Sequence, residues 1–117
     1  MNEELKSILG NEITVDGNTI PVAHLKYKGS EKTYVVWTII NNAPALKAND
    51  EDLYSIYSVD IDVYSDSNYL NIEKFIKRLM KSNDFIWSED SEEMLDDDTE
   101  LYHKTYTFEK ERMIENG

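Results

Sequence analysis

Asp60 and Asp62 stand two residues apart in the run Tyr57-Ser58-Val59-Asp60-Ile61-Asp62-Val63-Tyr64. On a strand, positions i and i+2 share a face, so the two carboxylates, with Asp66 as a third, could hold a divalent cation or share a proton. No histidine or further carboxylate recurs at ligand spacing, and the run reads instead as the solvent side of an amphipathic strand. His24 and His103 are the only histidines, each within a predicted strand, and they read as structural. The four glycines, Gly10, Gly17, Gly29 and Gly117, form no phosphate-cradling loop, and no G-x-S-x-G elbow is present. Cysteine is absent, which removes disulfides, thiol catalysis and thiolate metal sites. The expectation is a protein that is not an enzyme, with no catalytic residue, no cofactor and no bound metal.

The segment from Glu89 to Glu100 is the densest feature. Glu89, Asp90, Glu92, Glu93, Asp96, Asp97, Asp98 and Glu100 put eight carboxylates into twelve residues. An EF-hand loop would need a central glycine, which this run lacks. It reads either as a solvated inter-strand loop that aids solubility, or as a negative surface offered to a basic partner or turned toward passing DNA. The chain carries 24 acidic and 12 basic side chains, and without these eight only 16 acidic ones are left. Lys74, Lys77, Arg78 and Lys81 form a basic counterpart, read as the solvated back of an amphipathic helix rather than a partner site.

A net charge of −12 and a pI near 4.4 argue against phosphate-neutralising nucleic-acid binding and against anionic lipid. No apolar run reaches a membrane span, and Met1 leads straight into charged residues rather than a secretory signal. The length of 117 residues suits one domain spanning 1–117, soluble and intracellular.

These residues need elements to position them. Asn2 to Leu9 predicts a short capped helix stopped by Gly10. Asp16-Gly17-Asn18, between Ile13-Thr14-Val15 and Thr19-Ile20-Pro21-Val22, predicts a hairpin, with Pro21 placing its strand at an edge or an irregularity. Thr33 to Ile40 is almost continuously apolar and predicts a central strand, followed by a loop through Asn41-Asn42-Ala43-Pro44 to Asp50-Glu51-Asp52. Leu53 to Tyr64 alternates as a long strand with one buried face. Tyr69, Ile72, Phe75, Ile76, Leu79 and Met80 form a stripe for a long amphipathic helix ending near Ser82. Phe85-Ile86-Trp87 and Leu101 to about Met113 supply two further strands. The expected class is α+β: a mainly antiparallel sheet, with a short N-terminal helix and one long amphipathic helix packed on one face.

Laid out in this order, the chain resembles the tail terminator (tail completion, head–tail joining) proteins of long-tailed bacteriophages and prophages. The residues that carry the resemblance are Leu5 to Ile13, Tyr34-Val35-Val36-Trp37, Tyr57 to Ser65 leading into the helix near Tyr69, and His103 to Phe108. The chain departs from the family in having Lys32-Thr33 where a proline often precedes the central strand, and in its extended acidic segment. The resemblance implies a non-enzymatic virion-assembly protein, acting in the bacterial host cytoplasm and then in the virion tail at the head–tail junction. It implies a homo-oligomeric ring, a hexamer in the family, which caps the tail tube and meets the head connector. DNA would pass without specific binding, and no membrane would be involved. On that reading the carboxylates of Glu89 to Glu100 face the lumen or an axial rim. The alternative is a small acidic inhibitor, either a toxin-immunity protein or a DNA-mimicking antagonist of a nuclease, although a mimic would spread its carboxylates over a whole face.

Overall fold

A computed structural model describes residues 2–48 and 51–113. The chain runs α1 (Asn2–Leu9), β1 (Glu12–Val15), β2 (Asn18–His24), β3 (Tyr34–Ala48), β4 (Glu51–Ser65), α2 (Leu70–Ser82), β5 (Ile86–Asp90), β6 (Met94–Leu95) and β7 (Tyr102–Met113). The strands form one seven-stranded sheet in the order β1-β2-β3-β4-β7-β5, with β6 paired to β7. All pairings are antiparallel except β2 with β3, which is parallel over Val22–His24 and Val35–Trp37.

The expected α+β class is therefore corrected. The described residues are mostly β, and among them are two short helices of 8 and 13 residues and no long amphipathic helix laid across a sheet face. α2 spans 13 residues and ends at Ser82, close to its expected end, in a Schellman turn: Phe85 N donates to Met80 O and Asp84 N to Lys81 O, while Asp84 takes a left-handed φ of 69°. The apolar contact that goes with this motif is in place, since Met80 and Phe85 are both buried. The sheet, meanwhile, is longer than the sequence pattern suggested. β3 does not end in a loop at Asn41; it continues to Ala48, paired with β4 across register shifts at Ile39/Asn41, Pro44/Leu46 and Leu46/Lys47. These irregularities absorb residues that carry turn chemistry, and Pro44 sits on a strand whose other edge is unpaired there among the described residues. Asp50 of the expected loop lies outside the described residues.

The hairpin of β1 and β2 forms as expected, with Asp16 and Gly17 at φ 53° and 81°, the geometry of a primed two-residue turn. Pro21 precedes the first β2–β3 pair at Val22, so its missing N–H costs that ladder nothing.

Alternation decides the two faces. Val35, Trp37, Val59, Ile61, Val63, Tyr106 and Phe108 turn to one side and join Leu5 and Leu9 of α1 and Ile72, Ile76 and Met80 of α2 in a single buried cluster. Thr38, Asp60, Asp62, Tyr64, His103, Thr105 and Thr107 turn to the other side. The described body measures 52 × 26 × 24 Å, longer than one packed core requires. Among the described residues no helix is long and apolar enough to cross a membrane.

Gly29 is fixed by close approach. A Cβ there would collide with the Tyr27 phenol, whose oxygen accepts the Glu31 N–H at 3.1 Å and whose ring stacks on Tyr34 at 4.3 Å. Gly29→Ala should cost about 1 kcal/mol, the scale of one aromatic stack, and much less in a Tyr27→Ala background. Denaturant titration of the four-member mutant cycle checks this.

Candidate functional site

The acidic segment is built as the end of β5, the two-residue β6 and a tight turn into β7. Asp96 N donates to Leu101 O, Glu100 N to Asp96 O, and Asp98 N to the Asp96 carboxylate at 3.0 Å, so Asp96 organises the turn through its own side chain. Glu100 holds a left-handed φ of 61° as the chain enters β7.

The eight carboxylates divide into two groups. Asp90 is anchored: its Oδ2 pairs with Lys77 at 3.3 Å and Lys104 at 3.5 Å, and its Oδ1 accepts the Trp87 indole N–H at 2.7 Å. Glu93 accepts the Tyr69 hydroxyl at 2.8 Å. Glu89, Glu92, Asp97, Asp98 and Glu100 are exposed, as are Glu93 and Asp96 despite their bonds. The structure thus brings the segment together as one negative ridge held at its base.

That base is a four-charge cluster. Glu73 on α2 pairs with Lys77 at 3.1 Å and Lys104 at 3.8 Å, and it also accepts the Tyr106 hydroxyl at 2.9 Å. The Lys77 ammonium lies 4.5 Å from the Trp87 ring centroid and 5.4 Å from that of Tyr106. Burial works against the Lys77 charge, but hydrogen bonds to Glu73 and Asp90 outweigh it and raise the lysine above its ordinary range. Lys77 is therefore not part of a solvated helix back; of the expected basic group, only Lys74, Arg78 and Lys81 are exposed. Only the Glu73–Lys77 spacing of four hinted at this cluster in the sequence.

On the opposite face lies a second feature that the sequence did not disclose. Tyr27, Tyr34, Tyr64 and His103 stack in one ladder with centroid separations of 4.3, 4.7 and 4.2 Å. The register explains it, because Tyr34, Tyr64 and His103 occupy one row across β3, β4 and β7. Burial, followed by the charge of Asp96, raises the Tyr34 phenol; burial, then Asp62 and Tyr34, raises Tyr64, where Asp96 is again felt. The acidic turn therefore acts on this ladder.

Asp60 and Asp62 do share this outer face, but each is engaged from β7. Asp62 Oδ1 accepts Thr105 Oγ1 and contacts His103 Nε2 at 3.0 Å, and Asp60 Oδ1 accepts Thr107 Oγ1 at 2.6 Å. Asp66 does not join them. It lines a polar cleft of about 480 Å³ between the β1–β2 turn, residues 30–33 and the start of α2, where Asn71 donates to Asp16 at 2.6 Å. Among the described residues no three histidines or carboxylates are grouped to hold a metal ion. His24 stacks on the buried Trp37 at 3.9 Å.

Two pH effects follow. Burial and the Glu93 hydrogen bond push Tyr69 up to about 12, and burial with the Glu73 bond pushes Tyr106 higher still. An unfolded tyrosine ionises near ~10, so above that pH the unfolded chain releases protons that the folded chain keeps. Stability should hold below pH ~10 and fall as pH rises toward ~12, with raised Lys77 adding in the same sense. Denaturant unfolding from neutral to alkaline pH checks this, and Tyr106→Phe should flatten the alkaline slope.

For Asp60 the sign favours its neutral form. Burial raises its carboxyl, and Asp62 and Glu89 add to the rise, against the lowering bond from Thr107. The ionised side chain therefore costs stability at neutral pH. Asp60→Asn, which keeps an acceptor for Thr107, should raise Tm modestly at pH 7. That advantage should vanish below pH ~4, where the native carboxyl is protonated in both states.

Neither a protein-family model nor a curated protein matches this chain.

Proposed function

We propose that this protein is a non-enzymatic assembly subunit of the tail-terminator type, a ring component that caps a phage or prophage tail tube and joins it to the head connector. The observation that carries the reading is the arm formed by β3, β4 and β7. β3 and β4 stay paired out to Ala48 and Glu51, and β4 and β7 out to Tyr54 and Met113. Among the described residues β2 covers β3 only as far as Trp37, and β5 covers β7 only as far as Glu109, so both flanks of the arm lack strand partners. Long strands with open edges are suited to lying across neighbouring subunits.

The exposed carboxylates of the acidic ridge fit the same role. A negative rim repels the DNA backbone, letting the duplex pass without adhering. On this reading the ring is a homo-hexamer, as in the family the sequence resembles, formed in the host cytoplasm and kept in the virion at the head–tail junction.

The test is an affinity pull-down of the tagged chain from a lysate with its prophages induced, read by mass spectrometry. Tail-tube and head-connector proteins are expected. Recovery of a single nuclease or toxin instead would overturn the reading in favour of an inhibitor. The Asp96→Asn/Asp97→Asn/Asp98→Asn variant keeps the turn acceptor and should retain fold and partners while lowering the yield of infectious particles. A normal yield would remove the rim from the mechanism.

A further inference from the structure

A cleft of about 480 Å³ opens between the start of α2, the turn leading into it and the β6–β7 pair, with Asp66, Tyr69, Leu70, Glu93 and Tyr102 in its lining. Tyr69 is buried, whereas Leu70 is 54% and Tyr102 38% exposed. Leu95, 56% exposed, sits opposite Tyr102 in the β6–β7 register and continues the same surface. Three of the eight large hydrophobic side chains exposed among the described residues thus border one opening. Apolar residues scattered singly over a surface mean little, but a group around a cleft marks a place of contact.

The rings and charges of the cleft are not used up by the fold. Tyr69 and Tyr102 meet at 47° with centroids 6.5 Å apart, so Tyr102 keeps ring surface toward solvent. Glu93 spends Oε2 on the Tyr69 hydroxyl at 2.8 Å, and its Oε1 has no hydrogen-bond partner among the described residues. The Asp66 carboxylate makes no hydrogen bond or ion pair among them. No lysine or arginine lines the cleft. On the same side of the sheet Lys77 and Lys104 are held by Glu73 and Asp90 at 3.1 to 3.8 Å. Lys32 lines the neighbouring polar cleft, which shares Asp66, but pairs with neither carboxylate among the described residues.

Charge complementarity selects the occupant. Two carboxylates without counter-ions beside phenol rings attract a cation, through Coulomb attraction and through the negative ring faces. A guanidinium answers both with one group, because its flat face can lie on Tyr102 while its edge N–H groups donate to Glu93 and Asp66. An ammonium is more strongly hydrated and has no such fork. Leu70 and Leu95 offer nothing to a free cation. They suit aliphatic residues next to the arginine in a peptide chain, and arginine with apolar anchors is the composition of protein contact cores.

We propose that this cleft docks a basic peptide segment of a partner protein, with one arginine held by Tyr102, Glu93 and Asp66 and its aliphatic neighbours seated on Leu70 and Leu95. The site is complete within one subunit, so the inference does not rest on the ring reading above.

The experiment titrates the full chain with the peptide acetyl-Leu-Arg-Leu-amide, followed by proton–nitrogen correlation NMR, against the same peptide with citrulline in place of arginine. Citrulline keeps the shape and removes the charge. Amide shifts should concentrate at residues 66–70, 93–95 and 102, and the citrulline peptide should bind about tenfold or more weakly. Added salt should weaken the arginine peptide and leave the citrulline peptide unchanged. Glu93→Gln keeps an acceptor for Tyr69, and Tyr102→Ala removes an exposed ring. Each should weaken the arginine peptide several-fold, with circular dichroism confirming that the variants fold. Equal binding of the two peptides, or shifts confined to residues 96–100, would overturn the cleft as an arginine site. Acetyl-arginine-amide binding as tightly as the tripeptide would overturn a peptide as the occupant. An absence of shifts at millimolar peptide would overturn the docking altogether, while the tail-end role would still be judged by the recovered partners.

Discussion

Four charges between α2, β5 and β7 hold the rest of the structure to its sheet. Glu73, Lys77, Asp90 and Lys104 are each between 17 and 31% exposed, and together they sum to no net charge. Partly buried ions are tolerable only when each has a counter-ion and its remaining donors or acceptors are met. Here Tyr106 donates to Glu73, Trp87 donates to Asp90, and the Lys77 ammonium lies near both rings. Losing any one member would leave an uncompensated charge among aromatics, so the four act as a unit. The cluster ties β7, which pairs with β4, to the edge strand β5, whose residues are exposed or half-buried.

The acidic ridge depends on that anchor. A run of eight carboxylates repels itself, and a chain segment with so little apolar content has little reason to hold one conformation. It is placed because its first part is fixed at Asp90, its middle by the Glu93–Tyr69 bond, and its turn by the Asp96 backbone and side-chain bonds. Only after those three attachments are made does the rest of the charge face water as a surface of defined position. Three of the carboxylates, Asp90, Glu93 and Asp96, therefore serve the fold, and the exposed charge is what a partner or a passing polyanion would meet.

Local pattern was enough to read β4, where polar and apolar residues alternate, and the β1–β2 turn, where Asp16-Gly17 supplies the two positive φ angles the hairpin needs. It was not enough for residues 41–48. Asn41, Asn42 and Pro44 carry the chemistry of a loop, yet the alternating partner β4 draws them into the sheet and the bulges absorb the mismatch. Strand pairing is a non-local property, and a single segment's composition does not report it. The helix was overweighted for a related reason: its apolar stripe and its end near Ser82 were visible, but the length of β3, β4 and β7, which makes the structure mostly β, was not. Of the candidate site, the carboxylates were legible as composition. Their division into anchored and exposed groups was not, because Lys104 lies 27 residues along the chain from Lys77, and only the packing of α2 beside β5 and β7 brings both to Asp90.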